Sequence, residues 1–543
     1  MFLLPTLALA LAGAVLPPFQ QQPARTADWT ALPTPALCEP RMSGSHPGPL
    51  SSGSHILSRN DGLPLPGSQP APRLPVSTLL KIVEEEARAR STRIEFFRSA
   101  SGLLARGDSA AIDTARARIE EIERAGETLR IDLEMDLSGS AGGGSAANGG
   151  GTNAKGAAPE RFTAKSSLVS GEEAFLGLRE ATPFVMGFDV EVAADSGVAA
   201  PVLGTAAHGR TLHLRAARIE GGRRIHLEGL LDLADLASIE AFDPGSPDLG
   251  TFQEPRIDFV QVAFAGIVDS GGTLEVEIAG APLALASWKL TVKAATRPDE
   301  EGSAARKDDA LDVIDFAFLA RESSSIPNAG PGAELDRQAF FVQPRRTSIP
   351  IPPSAVAATL ELRGGERAGS RPTPAWSEDL LILPRSDSAG RTEARALVAA
   401  AEQARVATVR IEAKRGGLSA RFPACAGSPA RLLAGRERTA LVGYRAEIAP
   451  QTWMPAPLVE RSFDGVCVAI EAQSGGAECS TWIAESSGEV VVARQDAQLG
   501  QIQILERRLR AERAIVLAGE PERSLASGPA GSADAILLRV PAP

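Results

Sequence analysis

One order of sequence signals occurs twice in this 543-residue chain, and this internal repeat limits its fold more than any other feature. In the first part of each copy, matching positions lie 277 to 280 residues apart. The matches are Pro75-Val76-Ser77 with Pro352-Pro353-Ser354, Asp108-Ser109 with Asp387-Ser388, and Leu129-Arg130-Ile131-Asp132 with Val409-Arg410-Ile411-Glu412. The chain is too long for one hydrophobic core, so we expect two modules of the same kind.

A Gly/Ser-rich stretch at residues 138–158 explains why this offset then changes. The second copy lacks such a stretch, and beyond it the offset falls to 256. The matches there are Gly187-Phe188 with Gly443-Tyr444, Glu191 with Glu447, Pro201 with Pro457 and Gly209 with Gly465; Gly221-Gly222 also returns as Gly475-Gly476, and residues 277–280 resemble residues 516–519. The alternative is chance similarity between two Ala-rich stretches, which would not preserve one order with one explained shift.

Each copy begins with helix and strand signals and continues into a β-rich part. A helix is predicted from Ser77 to about Arg90, a strand at residues 94–97, and a second helix after Asp108-Ser109 that ends at Gly126. The apolar stripe of this second helix is Ile112, Ala115, Ile119 and Ile122, and it returns as Ala394, Leu397, Val398 and Ala401. From Arg161 onward, short alternating strands are broken by Gly and Pro. The predicted class is α+β: two tandem modules, each a small helix/strand unit followed by a larger antiparallel β-rich domain.

Composition places the boundaries between these parts. The predicted segments are a signal peptide at 1–14, a disordered Pro/Ser/Gly-rich linker at 15–75, a small α+β unit at 76–137, a Gly/Ser linker at 138–160, a β-rich domain at 161–320, a connector at 321–350, a second α+β unit at 351–415 and a second β-rich domain at 416–543. The linkers bury too little apolar surface to offset their ordering entropy. The segment 309–350 closes the first copy or joins the two, with its apolar run 311–319 as a candidate last strand.

The first residues predict export. The apolar run from Met1 to Leu16 has the composition of a secretory signal, with Ala12-Gly13-Ala14 as its cleavage site, although no Lys or Arg precedes it. This run is too short to span a bilayer as a helix. We expect a periplasmic, outer-membrane-associated or extracellular protein that is not held by a transmembrane helix. The alternatives are a wrongly assigned start and an apolar disordered tail.

Charge and aromatic content exclude some functions. The net charge is −11 and the Lys and Arg residues are scattered, whereas a protein that binds nucleic acid needs a basic face. Aromatic residues make up 4% of the chain, with Tyr444 the single tyrosine. This scarcity argues against lipid-facing strands with aromatic girdles, and against a glycan-binding surface built from several exposed aromatics.

The motifs that suggest chemistry have structural explanations. Gly107-Asp108-Ser109 resembles the nucleophile block of some lipases, but Asp387-Ser388 recurs before the equivalent helix, so we expect a helix N-cap. His208 and His213 are an odd number of residues apart and would point to opposite faces of a strand. These two and His226 are therefore predicted as exposed strand residues. No catalytic residue, cofactor site or metal site is predicted.

The four cysteines, at positions 38, 425, 467 and 479, suit an oxidising compartment. Cys467 and Cys479 flank the Gly475-Gly476 turn, which makes them a candidate disulfide pair across that hairpin. The alternative is two buried free thiols.

The order of the parts resembles the secretin family, whose subunits build outer-membrane secretion rings from small helix/strand domains followed by a β domain. Residues 103–137 (LLARGDSAAIDTARARIEEIERAGETLRIDLEMDL) resemble the helix-and-strand passage that leads into that domain; residues 170–192 (SGEEAFLGLREATPFVMGFDVEV), 209–214, 255–257 and 270–280 resemble its strands. The resemblance covers residues 76–292 and, more faintly, 352–519. The chain lacks the paired-glycine gate hairpin with its Val-Pro-Gly turn and the aromatic-edged membrane hairpins, so the resemblance implies a secretin-like scaffold and leaves pore formation open.

The leading hypothesis is a non-enzymatic exported scaffold or interaction protein, tied to an envelope or secretion assembly. It would act through a protein partner or through self-association, with no nucleic acid and no small-molecule cofactor. One alternative is a secreted β-sandwich module that binds glycan or protein. Another is a serine hydrolase that uses Ser109.

Overall fold

The computed structural model describes residues 30–32, 55–57, 74, 76–89, 92–99, 102–140, 159–246, 249–280, 283, 287–296, 312–319, 354–358, 375–376, 380–383, 388–403, 408–415, 417–428, 430–473, 475–492, 501–525 and 536–541. The helices are α1 (Val76–Ala89), α2 (Ser109–Thr128) and α3 (Ser388–Gln403). A helical turn covers residues 354–358.

Strands dominate both copies. Those of the first copy are β1 (Thr30–Leu32), β2 (Ile56–Leu57), β3 (Ile94–Ser99), β4 (Gly102–Gly107), β5 (Arg130–Ser140), β6 (Glu160–Val169), β7 (Glu173–Val192), β8 (Gly197–Ile219), β9 (Arg224–Phe242), β10 (Phe252–Asp269), β11 (Thr273–Ala279) and β12 (Ser287–Thr296). Those that follow are β13 (Asp312–Asp315), β14 (Ala375–Trp376), β15 (Leu380–Leu383), β16 (Thr408–Arg415), β17 (Leu418–Cys425), β18 (Ala430–Ala449), β19 (Thr452–Gln473), β20 (Gly476–Val492), β21 (Gln501–Leu517), β22 (Arg523–Leu525) and β23 (Ile536–Arg539). The predicted α+β class is confirmed.

A smaller compact unit comprises residues 1–34 and 80–119. Its antiparallel sheet has the order β1-β4-β3. The Asp108 carbonyl accepts hydrogen bonds from the amides of Ala111 and Ile112, and the Asp108 carboxylate accepts one from the Arg93 amide at 3.3 Å. Asp108 therefore occupies the position before α2, which begins at Ser109 as the N-cap prediction requires, and its carboxylate bonds to Arg93 outside the helix.

The larger unit, residues 35–79 and 120–543, contains two long antiparallel sheets. The first, called the large sheet below, has the order β2-β8-β9-β10-β18-β19-β20-β21, with β7 also paired to β8. The second sheet has the order β22-β23-β16-β17-β11-β12-β5-β6. Both sheets contribute side chains to one apolar core, among them Phe264 and Leu432 from the large sheet and Trp288 and Phe422 from the second. The β-rich parts of the two copies thus form a single sandwich instead of the two separate domains expected.

A third sheet repeats the small unit of the first copy. Strands β13, β15 and β14 pair in that order, as β1, β4 and β3 do, and α3 follows β15 as α2 follows β4. The candidate last strand of the first copy, residues 311–319, is therefore corrected: its described part contains β13, which pairs with β15 of the second copy.

Backbone irregularities repeat with the offset found in the sequence. The pairing of β7 with β8 shifts between Val185 and Gly187, and that of β18 with β19 shifts between Leu441 and Gly443, 256 residues later. A bulge inserts one extra residue into a strand and alters its twist. Both copies therefore bend their first long hairpin at the same place.

Three local predictions are corrected. Residues 30–32 and 55–57, inside the expected linker, pair as β1 and β2 with β4 and β8. Helix α2 continues past Gly126 to Thr128, because a glycine in the last turn weakens a helix without ending it. Residues 138–140 extend β5, since β12 supplies their hydrogen-bonding partners.

Two of the sequence matches are also corrected. Residues 277–280 end β11 whereas residues 516–519 end β21, so the two stretches are not equivalent. The offset of 280 for residues 129–132 is the second. Glu134 lies opposite Lys165 in the first copy, and Glu412 lies opposite Arg421 in the second. Glu134 is therefore the counterpart of Glu412, and the offset for this strand is 278. Within the described ranges, no helix is both long and apolar enough to cross a membrane.

Candidate functional site

The two copies meet in the large sheet where β10 pairs with β18. Val260 lies opposite Ala434, and both are buried. Asp258 lies opposite Arg436, whose Nε donates to Oδ1 at 2.6 Å and whose Nη2 donates to Oδ2 at 3.0 Å. These hydrogen bonds to Asp258 raise the pKa of Arg436. The contact thus combines apolar burial with a two-point ion pair, which fixes the register of the strands.

The copies meet a second time where β11 pairs with β17 in the second sheet. Glu277 lies opposite Arg421, with Oε2 and Nη1 3.7 Å apart. Both side chains are substantially exposed, so this pair contributes at most about 1 kcal/mol. Backbone hydrogen bonds between the strands are the main contribution here. Together, the β10–β18 and β11–β17 contacts are called the inner junction.

The inner junction is a head-to-tail contact. The first copy contributes β10 and β11, and the second contributes β18 and β17, which are the counterparts of β7 and β6. One side of a module therefore docks on the opposite side of the next, in both sheets at once. A head-to-tail contact leaves two complementary sides unused at its ends.

Those unused sides are the outer edges of the two sheets. Among the described strands, β7 and β6 at one end, and β21 and β22 at the other, are paired along one side. Unpaired strand edges present N–H and C=O groups that accept a further strand. Exposed apolar side chains accompany them: Leu178 on β7 is 58% exposed, and Ile515 on β21 is 53% exposed.

The repeat relates the residues of the outer edges to those of the inner junction. Gly209 and Gly465 are counterparts by the offset of 256. In the first copy, Gly209 of β8 lies opposite Ala234 of β9, which lies opposite Phe259 of β10. In the second copy, Gly465 of β19 lies opposite Ala484 of β20, which lies opposite Leu509 of β21. Leu509 is therefore the counterpart of Phe259. By the offset of 256, Leu178 and Glu180 are the counterparts of Ala434 and Arg436.

If β21 of one chain paired with β7 of another in the register of β10 with β18, the opposing residues would be defined. Leu178 would lie opposite Arg510, and Glu180 opposite Arg508. In the inner ion pair, the acid lies on β10 and the base on β18. At the outer edges, the acid lies on β7, the counterpart of β18, and the base on β21, the counterpart of β10. The two positions therefore still have opposite charges. Glu180 is 72% exposed and is therefore accessible to a second chain.

The structure does not bring Cys467 and Cys479 together. Cys467 on β19 lies opposite Trp482, whereas Cys479 on β20 lies opposite Ile470. Ile470 is three residues from Cys467 along β19, so the two point to opposite faces. The two thiols therefore lie on opposite faces of the large sheet. Both are free and buried, and burial raises the pKa of Cys467 to about 11 and that of Cys479 to about 12. The arrangement matches the alternative, two buried thiols, and not the predicted disulfide.

Of the three strand histidines, two are not on the surface as predicted, and the third, His208, is partly exposed. His213 and His226 are buried, with Nε2 of His213 2.9 Å from Glu173 Oε2 and Nε2 of His226 3.2 Å from Ser428 Oγ. These polar partners offset the cost of burying an imidazole. Across the part of the chain that the structure describes, no group of three or more His, Cys, Asp or Glu side chains could hold a metal ion.

Sequence reasoning missed His55, which lies in the expected linker. It is buried in the larger unit and bonded to Asp232 and Glu437. The one local signal is the short run His55-Ile56-Leu57 between polar stretches, which is too brief for a periodicity.

Comparison with protein-family models finds no match, and comparison with curated proteins finds none either. Solved secretin structures are similar. The secretin domain of InvG from the Salmonella SPI-1 injectisome is 11% identical, with 41% of this chain and 76% of that solved chain covered and a TM-score of 0.20. The type IV competence pilus secretin PilQ of V. cholerae is 12% identical (41% and 84% covered, TM-score 0.20), and the type II secretin GspD of enteropathogenic Escherichia coli is 10% identical (51% and 96% covered, TM-score 0.19). Secretins are thus among the solved structures to which this chain is similar.

Proposed function

We propose that this chain is a non-enzymatic, exported scaffold that associates with further copies of itself, head to tail, through its outer sheet edges. The observation that carries the proposal is the inner junction, because one chain already contains the complete contact in both sheets. The β21 and β22 edge of one chain is built like the β10 and β11 side, and the β7 and β6 edge of the next is built like the β18 and β17 side.

A repeated head-to-tail contact gives a ring if its rotation closes and a filament if it does not. Each chain would add two modules to either form. The sequence resemblance to secretins favours an envelope or secretion assembly as the setting, and the apolar run at residues 1–16 would direct export.

The size of the full chain in solution tests this proposal. We expect its mass by light scattering to rise with concentration to multiples of 56.6 kDa. Glu180→Arg would place an arginine opposite Arg508, and a like-charge pair replacing an attractive one should weaken association about tenfold. The double variant Glu180→Arg/Arg508→Glu should recover it.

Glu191→Arg is the matched control, because it makes the same charge change on an exposed residue of β7 outside the transferred register. A single chain at every concentration would contradict the proposal. So would equal association by the Glu180→Arg and Glu191→Arg variants.

A further inference from the structure

Residues 55–57 are held by both copies of the repeat within the larger unit. On the first copy, Ile56 pairs with Ala206 of β8, and the Ala207 amide donates to the His55 carbonyl at 2.7 Å. On the second copy, Arg461 of β19 donates from Nη1 to the Ile56 carbonyl at 2.8 Å. This two-residue strand therefore bridges the inner junction.

The His55 side chain also contacts both copies, through one carboxylate of each. Its Nε2 lies 3.0 and 3.2 Å from the two carboxylate oxygens of Asp232 on β9, in the first copy. Its backbone amide donates to Glu437 Oε2 on β18 at 2.8 Å, and its Nδ1 lies 3.6 Å from that same oxygen, in the second copy. The imidazole also contacts the ring of Phe259 on β10, with centroids 4.5 Å apart.

Two buried carboxylates and two arginines lie around this imidazole. Asp232 and Glu437 are both buried carboxylates, and the nearby cation is Arg179 of β7, whose Nη2 lies 3.7 Å from Asp232 Oδ2. Arg461 faces the segment from β19 through its bond to the Ile56 carbonyl. Nε2 of His55 lies nearer to Asp232, at 3.0 Å, than Nη2 of Arg179 does, at 3.7 Å, so a protonated imidazole is the closer counterion of this buried carboxylate.

The acid pair belongs to the inner junction and is not repeated at the outer edges. The counterpart of Asp232 on β20 is Trp482, and the counterpart of Glu437 on β7 is Ala181. A chain-to-chain contact with the transferred register would therefore contain no such pair for a histidine.

We propose that residues 55–57 are a clamp strand that fastens the two modules of one chain to each other, and that protonated His55 is its charged latch. The strand stays docked while His55 carries a proton between Asp232 and Glu437, and it detaches as that proton is lost. The clamp depends on contacts within one chain, so it does not require the proposed assembly of several chains.

The direction of the pH dependence follows from the charges. Burial alone lowers the pKa of His55, but the attraction of Asp232, together with hydrogen bonds to Asp232 and Glu437, raises it from 6.5 to about 8. Docking is therefore strongest below pH 6.5 and is lost as the pH rises through 8. The shift corresponds to a docking constant that falls about 20-fold between pH 6 and pH 9.

Hydrogen exchange of the full chain, with rates corrected for intrinsic pH dependence, tests the clamp. Protection of the amides at residues 55–57 should fall about 20-fold between pH 6 and pH 9. His55→Gln keeps a hydrogen-bonding side chain without the charge, and should show weak protection that does not change with pH. His208→Gln, which alters a less buried histidine beside Thr182, should behave as the unaltered chain.

Two outcomes would overturn the clamp. One is protection in the unaltered chain that is the same at pH 6 and pH 9. The other is full protection at pH 6 in the His55→Gln variant.

Discussion

Replacing Asp258 with arginine should lower the free energy of unfolding by about 2–3 kcal/mol. The variant removes a two-point ion pair and places two arginines opposite each other at the inner junction. Breaking a fully buried pair costs about 3–5 kcal/mol, and the smaller figure applies because the Asp258 side chain is 11% exposed and that of Arg436 is 48% exposed. Urea unfolding followed by tryptophan fluorescence measures the change.

The double variant Asp258→Arg/Arg436→Glu is the control for this prediction. It restores an attractive pair with the acid and the base exchanged, as at the proposed outer contact between Arg508 and Glu180. We expect it to recover at least half of the lost stability. If the double variant is as unstable as Asp258→Arg, the ion pair does not determine how the copies join.

Replacing Phe264 with alanine should destabilise the sandwich more, by about 3–5 kcal/mol. Phe264 lies on β10, is fully buried, and belongs to the core formed by both sheets and both copies. Its ring packs over Gly229 on β9, where a Cβ would come within 2.5 Å of it. Removing the ring leaves a cavity that the neighbouring long strands cannot close, because their register is fixed by backbone pairing.

Phe97→Ala provides the matched control, since Phe97 is 57% exposed on β3. We expect that change to stay within about 0.5 kcal/mol. The same urea experiment distinguishes the two positions. Equal unfolding midpoints for Phe264→Ala and Phe97→Ala would show that the core does not run through β10.

The sequence predicts the repeat well because its signals are local. Alternation at residues 129–135, the helix start at Asp108-Ser109 and the glycine turn at 221–222 each depend on neighbours in the chain, and all appear in the structure. The matching bulges before Gly187 and Gly443 fall at the predicted offset for the same reason.

The union of the two copies could not be predicted in the same way. Asp258 and Arg436 are 178 residues apart, and strand edges pair through backbone groups that every residue carries. Nothing in either local sequence identifies the partner strand. The disulfide prediction failed on register, because flanking a turn does not place two cysteines on one face of a sheet.

The N-terminal strands were missed because each is two or three residues long. Strands β1 and β2 obtain their structure from β4 and β8, not from an alternating pattern of their own. His55 shows the consequence most clearly, since its two acidic partners lie 177 and 382 residues away. A composition rich in Pro, Ser and Gly predicts disorder on average and does not identify such a short docked segment.

Cysteine crosslinking tests whether chains join through the same register that joins the two copies. A chain carrying Leu178→Cys, mixed with one carrying Arg510→Cys, would place the two thiols on opposing strand positions about 5 Å apart, which is close enough for a disulfide. Cys467 and Cys479 are buried and should not react. The control partner is Ile515→Cys, five residues further along β21 and about 17 Å out of register. We expect mild oxidation to link the chains carrying Leu178→Cys and Arg510→Cys and to leave the chains carrying Leu178→Cys and Ile515→Cys separate. Equal crosslinking of both mixtures, or none in either, would contradict it.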